Sequence, residues 1–221
     1  MPYNAVVFDL DGTLVESHID YEKMGGQIRD LLVEMGMKTI IEDRRKAYMI
    51  IRGGAETLLD YGLPKENLET TLKTLDTVMN NIELEALPTM LLKPNVVETL
   101  KELREKNYRL GIATRSHGEY AVQALKKFNL TSFFHGIIGR DETPYPKPDP
   151  RHLIATIKLI KADPRKTLYI GDTTTDLATS QAANVAFVGY WRDEEWAKRL
   201  IDGGCTKVIK DLYELVELAR L

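Results

Sequence analysis

The 221-residue chain has one cysteine, Cys205, which excludes an internal disulfide and fits a reducing compartment. No metal-ligand partners lie near Cys205 in sequence, so a buried or idle thiol is expected. No apolar run approaches membrane-spanning length, and a membrane partner is not expected. The N-terminal apolar stretch has no basic segment before it and runs straight into acids, unlike a signal peptide, so a cytoplasmic location is expected. A formal charge of -3 gives no electrostatic case for nucleic acid or an anionic membrane. Low-complexity tracts and internal repeats are missing as well. What remains is an ordinary globular composition, long enough for one large domain with or without a smaller one.

From residue 94 onward, helical and strand patterns alternate. Val96, Val97, Leu100 and Leu103 mark a helix face with Pro94 near its start, and Tyr108 to Ala113 reads as a strand. Ala121, Val122, Leu125 and Phe128 form the next helix face, followed by a short strand at 136–139 and a Pro-rich loop from Thr143 to Pro150. A helix at 150–161, a strand at 167–170, a helix from Asp176 and a strand at 186–188 continue the series. A helix near 193–202, a strand at 207–209 and a helix from Asp211 complete it. Such alternation predicts an α/β fold: a Rossmann-like parallel sheet covered by helices, with the apolar strand at 3–10 joining it.

Residues 17–87 interrupt this pattern with helical periodicity alone. Ile28, Leu31, Leu32 and Met35 share one face, as do Leu68, Leu72, Leu75, Met79 and Ile82; between them Ile50, Ile51, Leu58 and Leu59 flank Gly53-Gly54. The expected organisation is therefore a core formed by 1–16 and 88–221 with an inserted all-helical domain at 17–87. Its amphipathic helices can bury against each other or against a partner chain, which leaves the oligomeric state open.

The chemistry gathers where the strands end, because ligands of parallel sheets bind outside the carboxyl ends of the strands. Val6-Val7-Phe8-Asp9-Leu10-Asp11-Gly12 ends an apolar strand in two aspartates. In an extended chain residues i and i+2 point the same way, so both carboxylates are expected on one lip of the sheet. Crowded acids repel unless a cation or a shared proton lies between them, which suits a metal-assisted nucleophile beside an acid/base. A calcium loop would need a third acid or amide before its glycine, and none is present. Thr114 ends the next strand, Lys147 lies in the loop Tyr145-Pro146-Lys147-Pro148-Asp149-Pro150, and Asp172 and Asp176 follow Gly171. Each also has a plain structural explanation. Thr114, Ser116, Asp172 or Asp176 can cap helices, and Lys147 can be a solvated loop lysine, although prolines on both sides suit a positioned charge. Trp191 and Trp196 read as core packing.

With these four motifs in this order, the chain resembles the haloacid dehalogenase superfamily in its phosphatase branch, most closely the phosphoglycolate-phosphatase-like members. The resemblance spans 1–16 and 88–221, and the helical insertion matches the position of that superfamily's helical cap. It implies an Mg²⁺-dependent phosphatase acting on a small phosphorylated metabolite through an aspartyl-phosphate. Asp9 would be the nucleophile and Asp11 the acid/base. Thr114 and Lys147 would bind phosphoryl oxygens. Mg²⁺ would be held by the Asp9 carboxylate, the Asp11 carbonyl and Asp172, with Asp176 as an outer or alternate ligand.

Arg115 departs from the pattern, since phosphoglycolate-like members often have Asn there. It reads either as a surface arginine or as a clamp for a second anionic group on the substrate. Arg52, before the Gly53-Gly54 helix break, is either solvated or a contact to the leaving group. Asp11 argues against dehalogenation, in which the superfamily lacks an acid at that place. Lys23, Lys38 and Lys46 stand in no context that suggests a Schiff base. Two alternatives remain on the same scaffold: a phosphosugar mutase resembling β-phosphoglucomutase, and a non-catalytic binding protein.

Overall fold

The computed structural model describes residues 3–37, 55, 57–60 and 62–218. The chain divides into two compact units, Met1–Ser17 with Thr89–Leu221, and His18–Pro88.

β1 (Ala5–Phe8) is fully buried along its length. It is shorter than the expected 3–10, because the Leu10 carbonyl turns away to accept from the amides of Thr13, Leu14 and Val15. β2 (Val15–Glu16) follows and pairs antiparallel with β3 (Leu91–Leu92), so the chain leaves and re-enters the first unit through a short ribbon.

Between them, the second unit contains α1 (Tyr21–Glu34) and α2 (Leu68–Ala86). Asp20 caps α1 by accepting from the Lys23 amide at 2.8 Å. Met24, Ile28 and Leu32 form its buried stripe, one turn apart. Met35, expected on that face, is 38% exposed. It lies past the helix end, where Gly36 turns the chain at φ +84 and Met37 takes the buried place. On α2 the stripe runs through Thr71, Leu75, Met79, Ile82 and Ala86, which leaves Leu72 half-buried at its edge.

The first unit then alternates α3 (Val96–Glu105), β4 (Arg109–Ala113), α4 (Gly118–Lys127), β5 (Gly136–Ile138) and α5 (Pro150–Leu159). It continues with β6 (Thr167–Gly171), α6 (Thr174–Ala183), β7 (Ala186–Tyr190), α7 (Glu194–Asp202), β8 (Val208–Ile209) and α8 (Glu214–Leu218). Six strands form one sheet in the order β5-β4-β1-β6-β7-β8, and every pairing is parallel. The chain is thus an α/β protein with a Rossmann-like sheet. Reversal of winding on either side of β1 opens a crevice at its carboxyl end. On one face Val7, Ala113, Leu153, Ile157 and Tyr169 pack into a closed core, which fixes β1, β4 and β6 against α5. Cys205 is buried beside Leu177 and Leu200. Among the described residues no helix is long and apolar enough to cross a membrane.

Trp191 and Trp196 are not core. Both are half-buried, with Lys210 over the Trp191 ring at 4.9 Å, and Arg192 and Arg199 over Trp196 at 5.3 and 4.9 Å. They lie after β7 and on α7, where the sheet runs out and cationic stems cover their rings.

Candidate active site

Asp9 follows β1 directly, and its amide donates to the Ile170 carbonyl of β6 at 2.8 Å. That bond turns its side chain into the crevice, where Lys147 Nζ stands 2.7 Å from Asp9 Oδ1 and 2.6 Å from Asp176 Oδ1. The Tyr169 hydroxyl accepts from Lys147 at 2.8 Å and donates to Asp176 Oδ1 at 2.6 Å. All four groups are buried. Burial pushes Asp9 well above the usual carboxylate range; Lys147 pulls it down, while Asp176 and Asp172 add to the rise. Burial alone would lower Lys147, but Asp176 and Asp9 reverse this and hold it cationic above its ordinary value. Burial also works to raise Asp176, yet the Lys147 charge and hydrogen bond bring it below its ordinary value. Burial keeps the Tyr169 hydroxyl protonated, well above its usual range.

Asp176 has a second duty. At the third position of α6 it closes a capping box with Thr173, its Oδ2 accepting from the Thr173 amide at 3.2 Å and hydroxyl at 2.5 Å. The helix-capping reading of Asp176 and its place beside Lys147 therefore coexist. Gly171 makes room for this, since a β-carbon there would stand 2.5 Å from the Asp176 β-carbon.

Asp172, at the end of β6, accepts from the Thr13 hydroxyl at 3.4 Å and has Arg192 at 3.9 Å. Burial raises it to about 7, Asp176 adds to the rise, and Arg192 opposes it. Carboxylate oxygens of Asp9, Asp172 and Asp176 lie within 4.8 Å of one another. Three carboxylates facing one buried ammonium leave the pocket short of positive charge. An all-oxygen donor set of this kind fits a hard divalent cation. Asp176 is the least available of the three, because Lys147, Tyr169 and Thr173 already occupy its oxygens.

Asp11 takes different partners from Asp9. The chain has left the strand at Leu10, and the Asp11 carboxylate turns toward β4 and α4. There its Oδ2 accepts from the Ser116 hydroxyl at 2.7 Å and its Oδ1 from the Tyr120 hydroxyl at 2.6 Å. The acids crowding Asp9 come from the β6 side instead. Thr114 is buried at the end of β4, where its Oγ1 accepts from the Ser116 amide at 3.1 Å. The cap of α4 is His117, whose Nδ1 accepts from the Glu119 amide at 3.1 Å, and not Thr114 or Ser116. Arg115 is half-buried, and its carbonyl accepts from the Arg140 guanidinium at 2.8 Å. Arg52 lies outside the described residues.

Lys147 is no solvated loop lysine. Asp149 caps α5, accepting from the Arg151 amide at 2.9 Å, and Arg151 forks onto the same carboxylate while lying 3.2 Å over the Tyr145 ring. Behind the loop, buried His152 accepts the Lys147 amide at Nδ1 (3.2 Å) and donates from Nε2 to the Ile138 carbonyl (3.0 Å). This hydrogen-bond pattern assigns the neutral tautomer with its proton on Nε2. Burial lowers His152 to about 4, in keeping with that form.

Tyr169, Tyr120, His152 and Arg192 escape a reading of the sequence, as does the bond from Ser116 to Asp11. A tyrosine in a buried strand or on an apolar helix face carries the same signal as a core phenylalanine. Only the tertiary fold reveals what its hydroxyl meets.

The haloacid dehalogenase-like hydrolase family model matches residues 6–190. A phosphoglycolate phosphatase of Mesorhizobium japonicum is 30% identical over 189 residues, spanning 83% of this chain and 80% of that one. Its counterpart in Pseudomonas syringae pv. tomato is 28% identical over 217 residues, spanning 96% and 78%. A solved Bacteroides fragilis protein described as a haloacid dehalogenase-like hydrolase superposes with a TM-score of 0.67 at 26% identity, covering 96% of this chain and 99% of that one. The match over most of the chain agrees with the strand-end geometry, and the protein belongs to the haloacid dehalogenase-like hydrolase family.

Proposed function

We propose that the chain is a magnesium-dependent phosphatase that hydrolyses a small phosphorylated metabolite through an aspartyl-phosphate on Asp9. The observation that carries this reading is the different setting of the two motif acids. Asp9 faces the Lys147 ammonium at 2.7 Å, whereas Asp11 accepts from the hydroxyls of Ser116 and Tyr120. That difference in partners supports attack by Asp9 and proton transfer by Asp11.

In the first half-reaction an Asp9 oxygen bonds to phosphorus as the bond to the leaving oxygen breaks, and Asp11 gives that oxygen a proton. In the second, Asp11 takes a proton from a water molecule that attacks phosphorus, which releases phosphate and restores Asp9. Lys147 favours the anionic form of Asp9 against the burial that raises it and binds a phosphoryl oxygen, and Thr114 binds another. A magnesium ion held by Asp9, Asp172 and the Asp11 carbonyl would supply charge compensation between the anionic nucleophile and the dianionic phosphoryl group. Asp176 anchors Lys147.

The helical unit His18–Pro88 serves as the cap in this reading, a role supported by its insertion between β2 and β3. Arg115, in the loop after β4, is the candidate contact to a second anionic group, and Arg52, on the sequence pattern alone, the candidate contact to the leaving group. The phosphoglycolate phosphatases among the relatives support a substrate that carries a carboxylate beside its phosphate.

Phosphate release from a panel of small phosphomonoesters, including 2-phosphoglycolate and hexose phosphates, tests the proposal. Magnesium-dependent release that stops with EDTA and in Asp9→Asn is expected. Equal silence of wild type and variant across the panel would overturn it. Conversion of a hexose 1-phosphate to its 6-phosphate without free phosphate would replace it with a mutase.

A further inference from the structure

The Asp11 carboxylate is hydrogen-bonded at both of its oxygens. Each of its oxygens accepts from a neutral hydroxyl, Ser116 Oγ at 2.7 Å and Tyr120 OH at 2.6 Å. Their backbones differ in origin, Ser116 in the loop after β4 and Tyr120 within the first turn of α4. Tyr120 is fully buried, as is the neighbouring Ala121 on the same helix. A buried phenol needs a hydrogen-bond partner, and a ring fixed by packing restricts where its hydroxyl can lie. Two donors, one on each oxygen, therefore fix both the position and the plane of the Asp11 carboxyl group.

We propose that Tyr120, together with Ser116, is a positioning residue that aims the Asp11 proton at the leaving oxygen. The inference rests on the phosphatase reading above and deepens it. Proton transfer demands alignment: a carboxyl group that rotates freely about its last bond spends most of its time pointing elsewhere, and small misplacements cost large factors in rate. Neither hydroxyl touches the nucleophile in this account, and neither binds the phosphoryl group. Their effect should therefore appear only where a proton must be delivered.

The choice of leaving group isolates that step. p-Nitrophenolate departs without a proton, whereas the alkoxide of 2-phosphoglycolate requires one. The ratio kcat/KM reports the phosphorylation of Asp9 and excludes the later hydrolysis of the aspartyl-phosphate. In Tyr120→Phe, which removes one oxygen and keeps the ring, kcat/KM for 2-phosphoglycolate should fall by about 10- to 100-fold. For p-nitrophenyl phosphate it should stay within about threefold of wild type on the same grounds.

Ser116→Ala should show the same split, and it carries the test if Tyr120→Phe does not fold. Equal losses on both substrates would mean a merely structural role and overturn the inference; so would no loss on either. Wild type lacking Asp9-dependent phosphate release on both substrates would instead overturn the phosphatase reading, and the inference with it.

Discussion

Gly12 and the Asp172 carboxylate meet so closely that a β-carbon on Gly12 would stand 2.2 Å from Asp172 Oδ2. The same residue adopts φ +87, a conformation that L side chains rarely take. The glycine after the two motif acids thus answers two demands at once, a left-handed turn and room for an acid arriving from another strand. The Asp9-Asp11-Gly12 segment and Asp172 are in effect one steric unit.

Gly12→Ala should consequently damage both fold and site. Backbone strain together with a displaced Asp172 is expected to cost about 2 kcal/mol or more in urea unfolding. Phosphate release should fall by about 100-fold, because a shift of roughly 1 Å in a site group has that effect. A variant with wild-type unfolding and turnover would show that neighbouring backbone absorbs the clash.

Lys147→Met should destabilise the protein in a pH-dependent way. In the wild type Asp176 lies below its ordinary value, so its contribution is present above the ordinary carboxylate range and lost as pH falls through the folded value. Lys147 lies above its own, so its contribution holds at neutral pH and is lost only as pH rises through the raised value. Without the lysine, Asp9 and Asp176 keep protons in the folded state that they release on unfolding, and stability then falls as pH rises. The loss should reach about 3 kcal/mol near neutral pH and exceed the loss at pH 5. Urea unfolding at pH 5 and pH 8 measures it, and an equal penalty at both would refute the shared-cation picture.

The strand-end positions of Asp9, Thr114, Lys147 and Asp172 were legible because each follows an apolar run or sits between prolines. The alternation of strands and helices revealed the parallel sheet for the same reason. Periodicity gave less at helix ends: Met35 continued the apolar pattern of α1, but the helix stops at Glu34 and Gly36 redirects the chain. The partners of the Asp11 side chain were not legible, because strand geometry ends at Phe8. Three amides converging on the Leu10 carbonyl end that geometry sooner than hydrophobicity suggests. Tyr120 and Tyr169 stayed hidden since burial of a ring and use of its hydroxyl leave the same trace in sequence.

His152 offers a separate pH signature. Its folded value of about 4 lies below the unfolded value of 6.5, so the unfolded chain binds a proton first on acidification. Its contribution is complete above about pH 6.5 and drains away toward pH 4. Between pH 7.5 and pH 5 this amounts to about 2 kcal/mol. Asp9 and Asp172, held above their ordinary values, act in the opposite sense, so wild type alone would blur the effect. They contribute alike to wild type and His152→Gln and cancel in the difference. The stability advantage of wild type over His152→Gln should therefore shrink by that amount on acidification; a constant gap would place the imidazole in a more polar setting.

Magnesium should stabilise the fold by binding to the native carboxylates. Burial and neighbouring acids hold both Asp9 and Asp172 above their ordinary values, and a divalent cation relieves that strain directly. At ten times its dissociation constant the ion should add about 1.4 kcal/mol, read as a higher unfolding midpoint that EDTA reverses. Because Asp172 titrates at about 7, the ion must displace a proton below that pH. Apparent affinity should then weaken as pH falls through this range, since Asp9, also held above its ordinary value, must give up its proton as well. Asp172→Asn should lose most of the midpoint shift. A shift that survived in Asp172→Asn, or an affinity unchanged between pH 6 and pH 8, would move the ion away from this carboxylate.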